Sequence, residues 1–328
     1  MVETMPYKLN EPHRDKIPKA EYRVTNWSEY DRGLVLRGDI RFWIDETVIE
    51  DWIAPWRKGP GVQRRYSNTA IVATLTLGSV YRLPLRQAEG FVRSLFALMG
   101  VEVPVPDHTT LARRRRTVVV DMHISSHPKP VDILLDSTGL KFYGPGEWDR
   151  AKHGERRRAW RKLLVSVDPA SSEIVAHELT DSDTSDAAMA GPLVAGLGGN
   201  IRRIIADGAY DGQPVTDAIR GARPTNSPPK IIVPPPAKSI PPPGTPHGGS
   251  ERERHAAEIA AHGRMNWQKN NDYGFRALGE TSIGRFKNHT GGILRARTFG
   301  AQQKEVDIHV SVMNRQIQAA KSVTTRVK

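Results

Sequence analysis

Three carboxylates and one helical face hold the residue types that could do chemistry. Asp136 follows Asp132, Ile133, Leu134 and Leu135, and Asp207 follows Ile204, Ile205 and Ala206. Each sits at the C-terminal end of a predicted strand and opens a turn-forming stretch: Ser137, Thr138 and Gly139 in one case, Gly208, Ala209, Tyr210 and Asp211 in the other. Acidic residues so placed are where an open sheet presents ligands to a crevice, although a single aspartate there more often forms a turn. A third carboxylate, Glu280, lies in a helix predicted over 272–287. At about 100° per residue, Tyr273, Arg276, Glu280 and Lys287 fall within roughly 60° of one another, while Phe275, Leu278 and Phe286 gather on the opposite side. The helix can therefore bury an apolar stripe and aim an aromatic ring, two cations and a carboxylate together. It also fits an ordinary solvated face with Arg276 and Glu280 as an i,i+4 pair.

The spacing of Tyr273, Arg276, Glu280 and Lys287 matches, position by position, the signature of insertion-sequence transposases of the IS-four and IS-five groups. The likeness extends over Val131, Asp136, Ser137, Thr138, Gly139, Leu140 and Lys141, and over Ala206 to Asp211. Overall it covers about Trp27 to Ala320, and the chain most resembles the IS-five group. The resemblance implies an α/β, ribonuclease-H-like mixed sheet flanked by helices, preceded by a small all-helical N-terminal domain. It implies a DDE triad of Asp136, Asp207 and Glu280 binding two Mg²⁺ or Mn²⁺ ions, and an enzyme that binds terminal inverted repeats, hydrolyses phosphodiesters and joins strands to target DNA. Its partners would be double-stranded DNA, at transposon ends and target, and a second copy in a synaptic homodimer. Such chemistry calls for carboxylates, because attack on an anionic phosphodiester builds charge on both the entering and leaving oxygens, and the hard cations that offset it prefer oxygen ligands. Arg276 and Lys287 would hold phosphates near the cleaved end, with Tyr273 stacking or hydrogen-bonding there.

The elements that must position these residues are legible in the periodicity. Residues 1–30 read as a flexible arm. From Trp27 to Arg116 the pattern is helical, and residues 31–120 read as a helical DNA-binding domain. Its last helix is expected to start at the N-cap Asp107 and end in Arg113, Arg114, Arg115 and Arg116, as a helix-turn-helix reading element or a cationic helix terminus. DNA contact is the expectation for these arginines, and Lys141 is a further candidate phosphate contact through its closeness to Asp136. Strands are predicted over 131–135, 163–167 and 174–179, antiparallel because no long helix intervenes, and over 201–206, parallel because the helical stretch 185–197 precedes it. Residues 128–224 would form the first part of a catalytic core. By the same resemblance, residues 225–261 would be an insertion between the last core strand and the glutamate helix, with a strand over 230–233 and 10 of the 24 prolines between Pro224 and Pro246. Residues 262–322 would be the second part of the core, and helices are expected over 251–262 and 299–320.

Composition agrees with a nucleic-acid partner. The formal charge is +12, and residues 264–328 hold 12 Lys and Arg against 4 Asp and Glu, so one fifth of the chain carries +8 of it. The absence of cysteine excludes disulfide frameworks, thiolate metal sites and zinc fingers, and suits a reducing cytoplasm. No apolar run suggests a membrane span or export signal, so a cytoplasmic, nucleoid-associated protein is expected. Three weaker signals read blandly. Asp181, Asp183 and Asp186 imitate a calcium loop but reach Pro192 where a bidentate Glu is needed, so a turn capping a helix near Ser185 is expected. His255, Glu258 and His262 lack zinc-protease spacing and default to solvent. The basic stretch from Trp148 to Trp160 could touch DNA or be a solvated loop. Two other functions remain open to the same residues: a DNA-binding regulator without turnover, and a nuclease that cuts without joining.

Overall fold

A computed structural model describes residues 21–56, 65–125, 131–142, 160–223, 227–245 and 248–327. The chain forms two compact units, Met1–Phe42 with Gln318–Lys328, and Trp43–Ile317. In the first, β1 (Tyr22–Val24) pairs antiparallel with β8 (Thr324–Arg326), and α1 (Trp27–Gly38) follows. A side chain at Gly33 would collide with the Ala319 carbonyl, so a glycine is needed at this approach. Residues 21–30 are thus ordered where a flexible arm was expected, because backbone pairing with the C-terminal strand satisfies them; residues 1–20 lie outside the described residues.

In the second unit, the aliphatic alternation of 131–142 produces the strand on which the sheet is built. β2 (Val131–Phe142), β3 (Trp160–Val167) and β4 (Ile174–Asp181) are consecutive and antiparallel, whereas β5 (Ile201–Ala206) runs parallel to β2 and β6 (Lys230–Ile232) parallel to β5. The order is β4-β3-β2-β5-β6, with the short β7 (Ile293–Leu294) pairing with the end of β2. This is a mixed α/β architecture consistent with a ribonuclease-H-like fold. The expected strand directions hold.

Successive side chains of a strand alternate between faces, and the two faces of this sheet bury different helices. Leu134 and Leu140 of β2 join Val165, Ile205 and Ile232 against α9 (Glu251–His262), α10 (Arg264–Asn270), α11 (Arg276–Thr290) and α12 (Phe299–Ala319), through residues such as Trp267, Phe286 and Val310. Ile133 and Leu135 join Leu164, Ile204 and Ile231 against α7 (Asp186–Ala195) and α8 (Gln213–Ala222), through Leu193 and Ile219. Ser185 caps α7 as expected, its hydroxyl accepting from Ala188 N at 3.3 Å. β6 lies within this sheet, so the segment 225–261 opens with a core strand; Ile231 and Ile232 are buried on opposite faces, which an insertion outside the core would not provide.

Helices α2 (Ile40–Trp43), α3 (Glu46–Glu50), α4 (Asn68–Val80), α5 (Leu85–Met99) and α6 (His108–Arg114) precede the sheet. Asp107 caps α6, accepting from Thr109 N and Thr110 N at 2.9 Å each. The seven-residue α6 stops at Arg114, and α5 ends at Met99, so the connection is a loop containing Pro104 and Pro106 and lacks the tight turn of a helix-turn-helix. Among the described residues, no helix is long and apolar enough to cross a membrane.

Near the start of β2, Asp132 is 7% exposed and accepts hydrogen bonds from the guanidiniums of Arg202 and Arg203, at 2.7 Å and 2.6 Å for the shortest of each. Burial alone would raise its pKa, but the two arginines outweigh burial and hold it below the ordinary aspartate value. A depressed folded-state pKa adds stability that is present above the unfolded pKa and lost as pH falls through the folded one. Asp132→Asn is therefore expected to cost about 3 kcal/mol at neutral pH, with the deficit shrinking below about pH 4. Denaturant unfolding of both proteins at pH 7 and pH 3 checks this, and a deficit independent of pH would contradict it.

Candidate functional site

Asp136 and Asp207 are brought together by strand register. Leu135 is paired with Ala206 across the parallel strands β2 and β5, so the next residues along, Asp136 and Asp207, leave that ladder side by side. β5 ends there, but β2 does not: Asp136 pairs with Val165 of β3, and the pairing continues to Lys141. Asp136 is thus mid-strand where a strand end was expected, because the antiparallel partner outlasts the parallel one. Asp207 does stand at a strand end and caps the turn Gly208–Tyr210, one oxygen accepting from Ala209 N at 2.9 Å. Asp136 likewise commits one oxygen to a backbone donor, Ser137 N at 2.9 Å.

Asp136 shares the parity of Leu134 and so faces α11. Gly279 makes the closest approach of that helix, since a Cβ there would lie 3.4 Å from Asp136 Oδ2. Glycine inside a helix costs roughly 1 kcal/mol relative to alanine, a local penalty that could have flagged Gly279 from sequence. Glu280 is the next residue. Its carboxylate pairs with Arg276 Nη1 at 2.5 Å, and Arg276 Nη2 stands 3.8 Å from Asp207 Oδ2. The Arg276 guanidinium therefore lies among the carboxylates, where a phosphate-gripping residue on an open face was expected. Its Nε is buried without a hydrogen-bond partner among the described residues.

Burial pushes the Asp136 carboxyl above the usual aspartate range; the Ser137 amide and Arg276 oppose this, and the charges of Asp207 and Glu280 add to it. Arg276 is held above its ordinary value although burial works against its charge, because Glu280 and Asp136 outweigh burial. Behind the aspartates, Ser137 Oγ donates to Asp186 at 2.7 Å, and Lys162 Nζ pairs with Asp186 at 2.9 Å. Burial, with the charges of Asp186, Asp207 and Asp136, pushes the Tyr210 hydroxyl pKa strongly upward, keeping it neutral. Ser137, Asp186 and Tyr210 had a sequence signal, as turn residues, and Lys162 had none; the place of Asp186 behind the site depends on α7 folding back onto β3.

The other candidates separate. Tyr273 belongs to a short 3₁₀ turn, Tyr273–Phe275, ahead of α11, and its ring packs on Trp267 with centroids 5.2 Å apart. This turn, entered from Asp272 at φ 51°, takes Phe275 off the expected apolar stripe, and Phe275 is exposed. Tyr273, Arg276 and Glu280 line an open groove with Met265 and Lys269. Lys287 is half-buried two turns beyond Glu280 on the same side of α11. Lys141 differs from Asp136 by an odd number of strand positions and so points to the opposite face, its Nζ 5.6 Å from the centre of the Trp160 ring; it is not a neighbour of Asp136. Of the four arginines, Arg113 and Arg116 are exposed. Arg114 is turned inward, donating to the Tyr66 carbonyl at 3.0 Å and Asn68 Oδ1 at 2.7 Å, and Arg115 lines an internal cavity. His255 is buried, where solvent exposure was expected: Trp267 Nε1 donates to its Nδ1, and Ile231 O lies 3.0 Å from its Nε2. From the basic stretch 148–160, only Trp160 lies within the described residues.

Two family models, each described as a transposase DDE domain, match residues 35–145 and 127–315. The second alone spans more than half of the chain. The chain belongs to the DDE transposases. A cryo-EM structure of a piggyBac transposase synaptic complex with hairpin DNA also aligns, at 9% identity over 91% of this chain and 84% of that one, but with a TM-score of 0.26 the superposition is too loose to equate the two folds. A DNA-cleaving enzyme dependent on a divalent metal ion follows from membership of the family.

The donor set of the transposase suits such an ion. Asp136 and Asp207 each have one oxygen held by a backbone amide and the other turned toward the shared space, Oδ2 of Asp136 toward Gly279 and Oδ2 of Asp207 toward Arg276. All are hard oxygen ligands. Glu280 is 59% exposed and engaged by Arg276, so among the described residues no three acidic or histidine side chains close into a metal cage. Glu280 follows Gly279, the residue of α11 that lies against Asp136, and its carboxylate is held by Arg276.

Proposed function

We propose that this transposase, of the IS-five group, binds the terminal inverted repeats of its element, hydrolyses the phosphodiesters at their ends and joins the 3′-OH groups to target DNA. The observation that carries the reading is the register that sets Asp136 beside Asp207, with Gly279 of α11 laid against Asp136 and Arg276 standing between Asp207 and Glu280. These three carboxylates would hold two Mg²⁺ or Mn²⁺ ions, which supply charge stabilisation of the phosphorane and activation of the attacking hydroxyl. Asp136 is oriented for this by the Ser137 amide, and Asp207 by the Ala209 amide. Tyr273 lines the groove beside Glu280 and Lys287 lies two turns beyond on the same side of α11; both would grip the DNA end, with Arg276 joining them once it leaves the carboxylates. The helices between residues 31 and 120 serve as the DNA-binding part, Arg113 and Arg116 being the arginines free to reach phosphate. Residues 128–224 and 262–322 form the catalytic core of a ribonuclease-H-like fold, and the protein acts as a homodimer in the synapse.

Incubation with labelled terminal-repeat duplex and Mg²⁺ tests the reading. Nicked, cleaved and joined products are expected; cutting without joining identifies a nuclease, and binding alone a regulator. Affinity for duplex is expected to fall with salt, log affinity dropping by about 0.9 per log unit of salt for each phosphate contacted. A slope near zero in a filter-binding series would contradict the basic contacts.

A further inference from the structure

A second cavity lies at the other end of α11, past His289, nine residues and about 14 Å along the helix from Glu280. It holds about 210 Å³. Three guanidiniums border it, those of Arg82, Arg115 and Arg295, together with the imidazoles of His289 and His309 and a single carboxylate, Glu305. That carboxylate is already engaged: its two oxygens accept from the backbone amides of Arg295 and Ala296 at 2.8 Å each. The charge of the lining is therefore positive in excess.

The excess is not neutralised from within. Arg82 donates to the Asn288 carbonyl and Arg295 to the Arg82 carbonyl at 2.8 Å, neutral acceptors that fix both side chains at the mouth without cancelling their charge. Arg115 lies deeper, and its Nε is buried with no hydrogen-bond partner among the described residues. Burial lowers its pKa, Glu305 opposing and Arg116 adding to the effect, as expected of a cation whose counter-charge is incomplete. Leaving a guanidinium N–H buried and unpaired is costly unless a ligand completes it. The N-terminus of the fifteen-residue α5 also borders the cavity, through Pro84 and Leu85, and has no side-chain cap. Its free amides add a partial positive charge on a further side. Ser79 Oγ sits between His289 Nε2 at 3.0 Å and His309 Nδ1 at 2.7 Å. Burial pushes the His289 pKa down to about 3, with His309 and Arg82 adding to it, so that ring is a neutral hydrogen-bonding group. The C-terminal ends of α4 and α11, which also reach the cavity, are the opposing influence, and the hydrogen bond from Arg82 to Asn288 already offsets one of them.

We propose that this cavity is a phosphate-binding site, in which Arg115 from within and Arg82 and Arg295 from the mouth enclose one phosphate group, with the N-terminal end of α5 on a further side. Donors converging from several directions suit a tetrahedral dianion better than a flat carboxylate, and guanidinium forks match phosphate oxygens in pairs. The phosphate can come from two sources: a free phosphate in solution or the backbone of bound DNA.

Calorimetric titration of the full chain with inorganic phosphate, against chloride at equal ionic strength, tests the site. One saturable site per chain is expected, weakened at least tenfold by Arg115→Met and by Arg295→Gln. Repeating the titration with the protein saturated by a short duplex separates the sources: phosphate binding lost under DNA identifies a backbone phosphate as the occupant, and binding unchanged identifies the free ion. Absence of saturable binding below about 10 mM phosphate, or equal affinity in wild type and both variants, overturns the proposal and leaves an adventitious ion only. Should circular dichroism show that Arg115→Met does not fold, Arg295→Gln carries the comparison, since Arg295 is exposed and its side chain donates to a carbonyl that other donors can satisfy.

Discussion

Asp136→Asn, Asp207→Asn and Glu280→Gln are each expected to abolish strand cleavage while leaving binding to terminal-repeat DNA intact. Metal ligands stabilise transition-state charge by several kcal/mol, and each 1.36 kcal/mol is a factor of ten in rate, so a loss on the order of a thousandfold or more is anticipated for each variant. The substitutions are close to isosteric: they remove the charge and turn one acceptor oxygen into an NH2 donor. In Asp136→Asn the amide oxygen still accepts from the Ser137 backbone, and in Asp207→Asn it still accepts from the Ala209 backbone, so the local turns survive. Stability provides the control. Asp136 is 8% exposed and its ionised form is disfavoured by burial and by two neighbouring carboxylates, so Asp136→Asn should melt no lower than wild type. A cleavage-dead Asp136→Asn protein that also unfolds early would point to a structural role. Cleavage retained by any one of the three variants would remove that residue from the site.

What could be read from the sequence was what is encoded locally. Asp107 announces its helix because a short acidic side chain can reach the N2 and N3 amides. The β-branched runs gave the strands, and the presence or absence of an intervening helix gave their directions. Most misplacements came from partners distant in sequence, and one from the local backbone. Ser137, Thr138 and Gly139 look like a turn, yet β3 pairs with them and carries β2 past Asp136. Arg114 looks like a free cation at a helix end until Tyr66 and Asn68, nearly fifty residues earlier, accept hydrogen bonds from it. His255 looks like a solvated helix residue until the Trp267 indole donates to it. The wheel that placed Tyr273 with Arg276 assumed 100° per residue, and the left-handed Asp272 with the 3₁₀ turn after it breaks that assumption within one turn. For the candidate site itself, spacing gave the i,i+4 contact of Arg276 with Glu280, and the family likeness singled out the three carboxylates. The reach of Arg276 to Asp207 required the sheet.

That reach makes Arg276→Gln a variant with two opposite effects. In this structure the guanidinium is the cation that offsets Asp136, Asp207 and Glu280, and it occupies the space toward which the free carboxylate oxygens turn. A divalent ion entering there must displace it. A unit charge about 4 Å away is worth about 1 kcal/mol in water and about 4 kcal/mol at an effective dielectric of 20. With Glu280 59% exposed, the lower end is the better guide. Arg276→Gln is therefore expected to tighten Mn²⁺ binding to the DNA-free protein by about tenfold, read by calorimetry or electron paramagnetic resonance. Cleavage should fall in the same variant, because a charge-assisted contact to phosphate worth roughly 1.5–3 kcal/mol is lost, about ten- to a hundredfold. Arg276→Lys keeps the charge without the planar fork, so its ion affinity should stay near that of wild type while its cleavage still drops. If Arg276 only gripped DNA, ion affinity without DNA would be the same in all three proteins. If it only neutralised the carboxylates, cleavage would rise with the tighter ion binding. Divergence of the two readouts is what a side chain shared between resting site and substrate must produce, and it would show that departure of Arg276 from the carboxylates, toward an incoming phosphate, couples DNA binding to completion of the metal site.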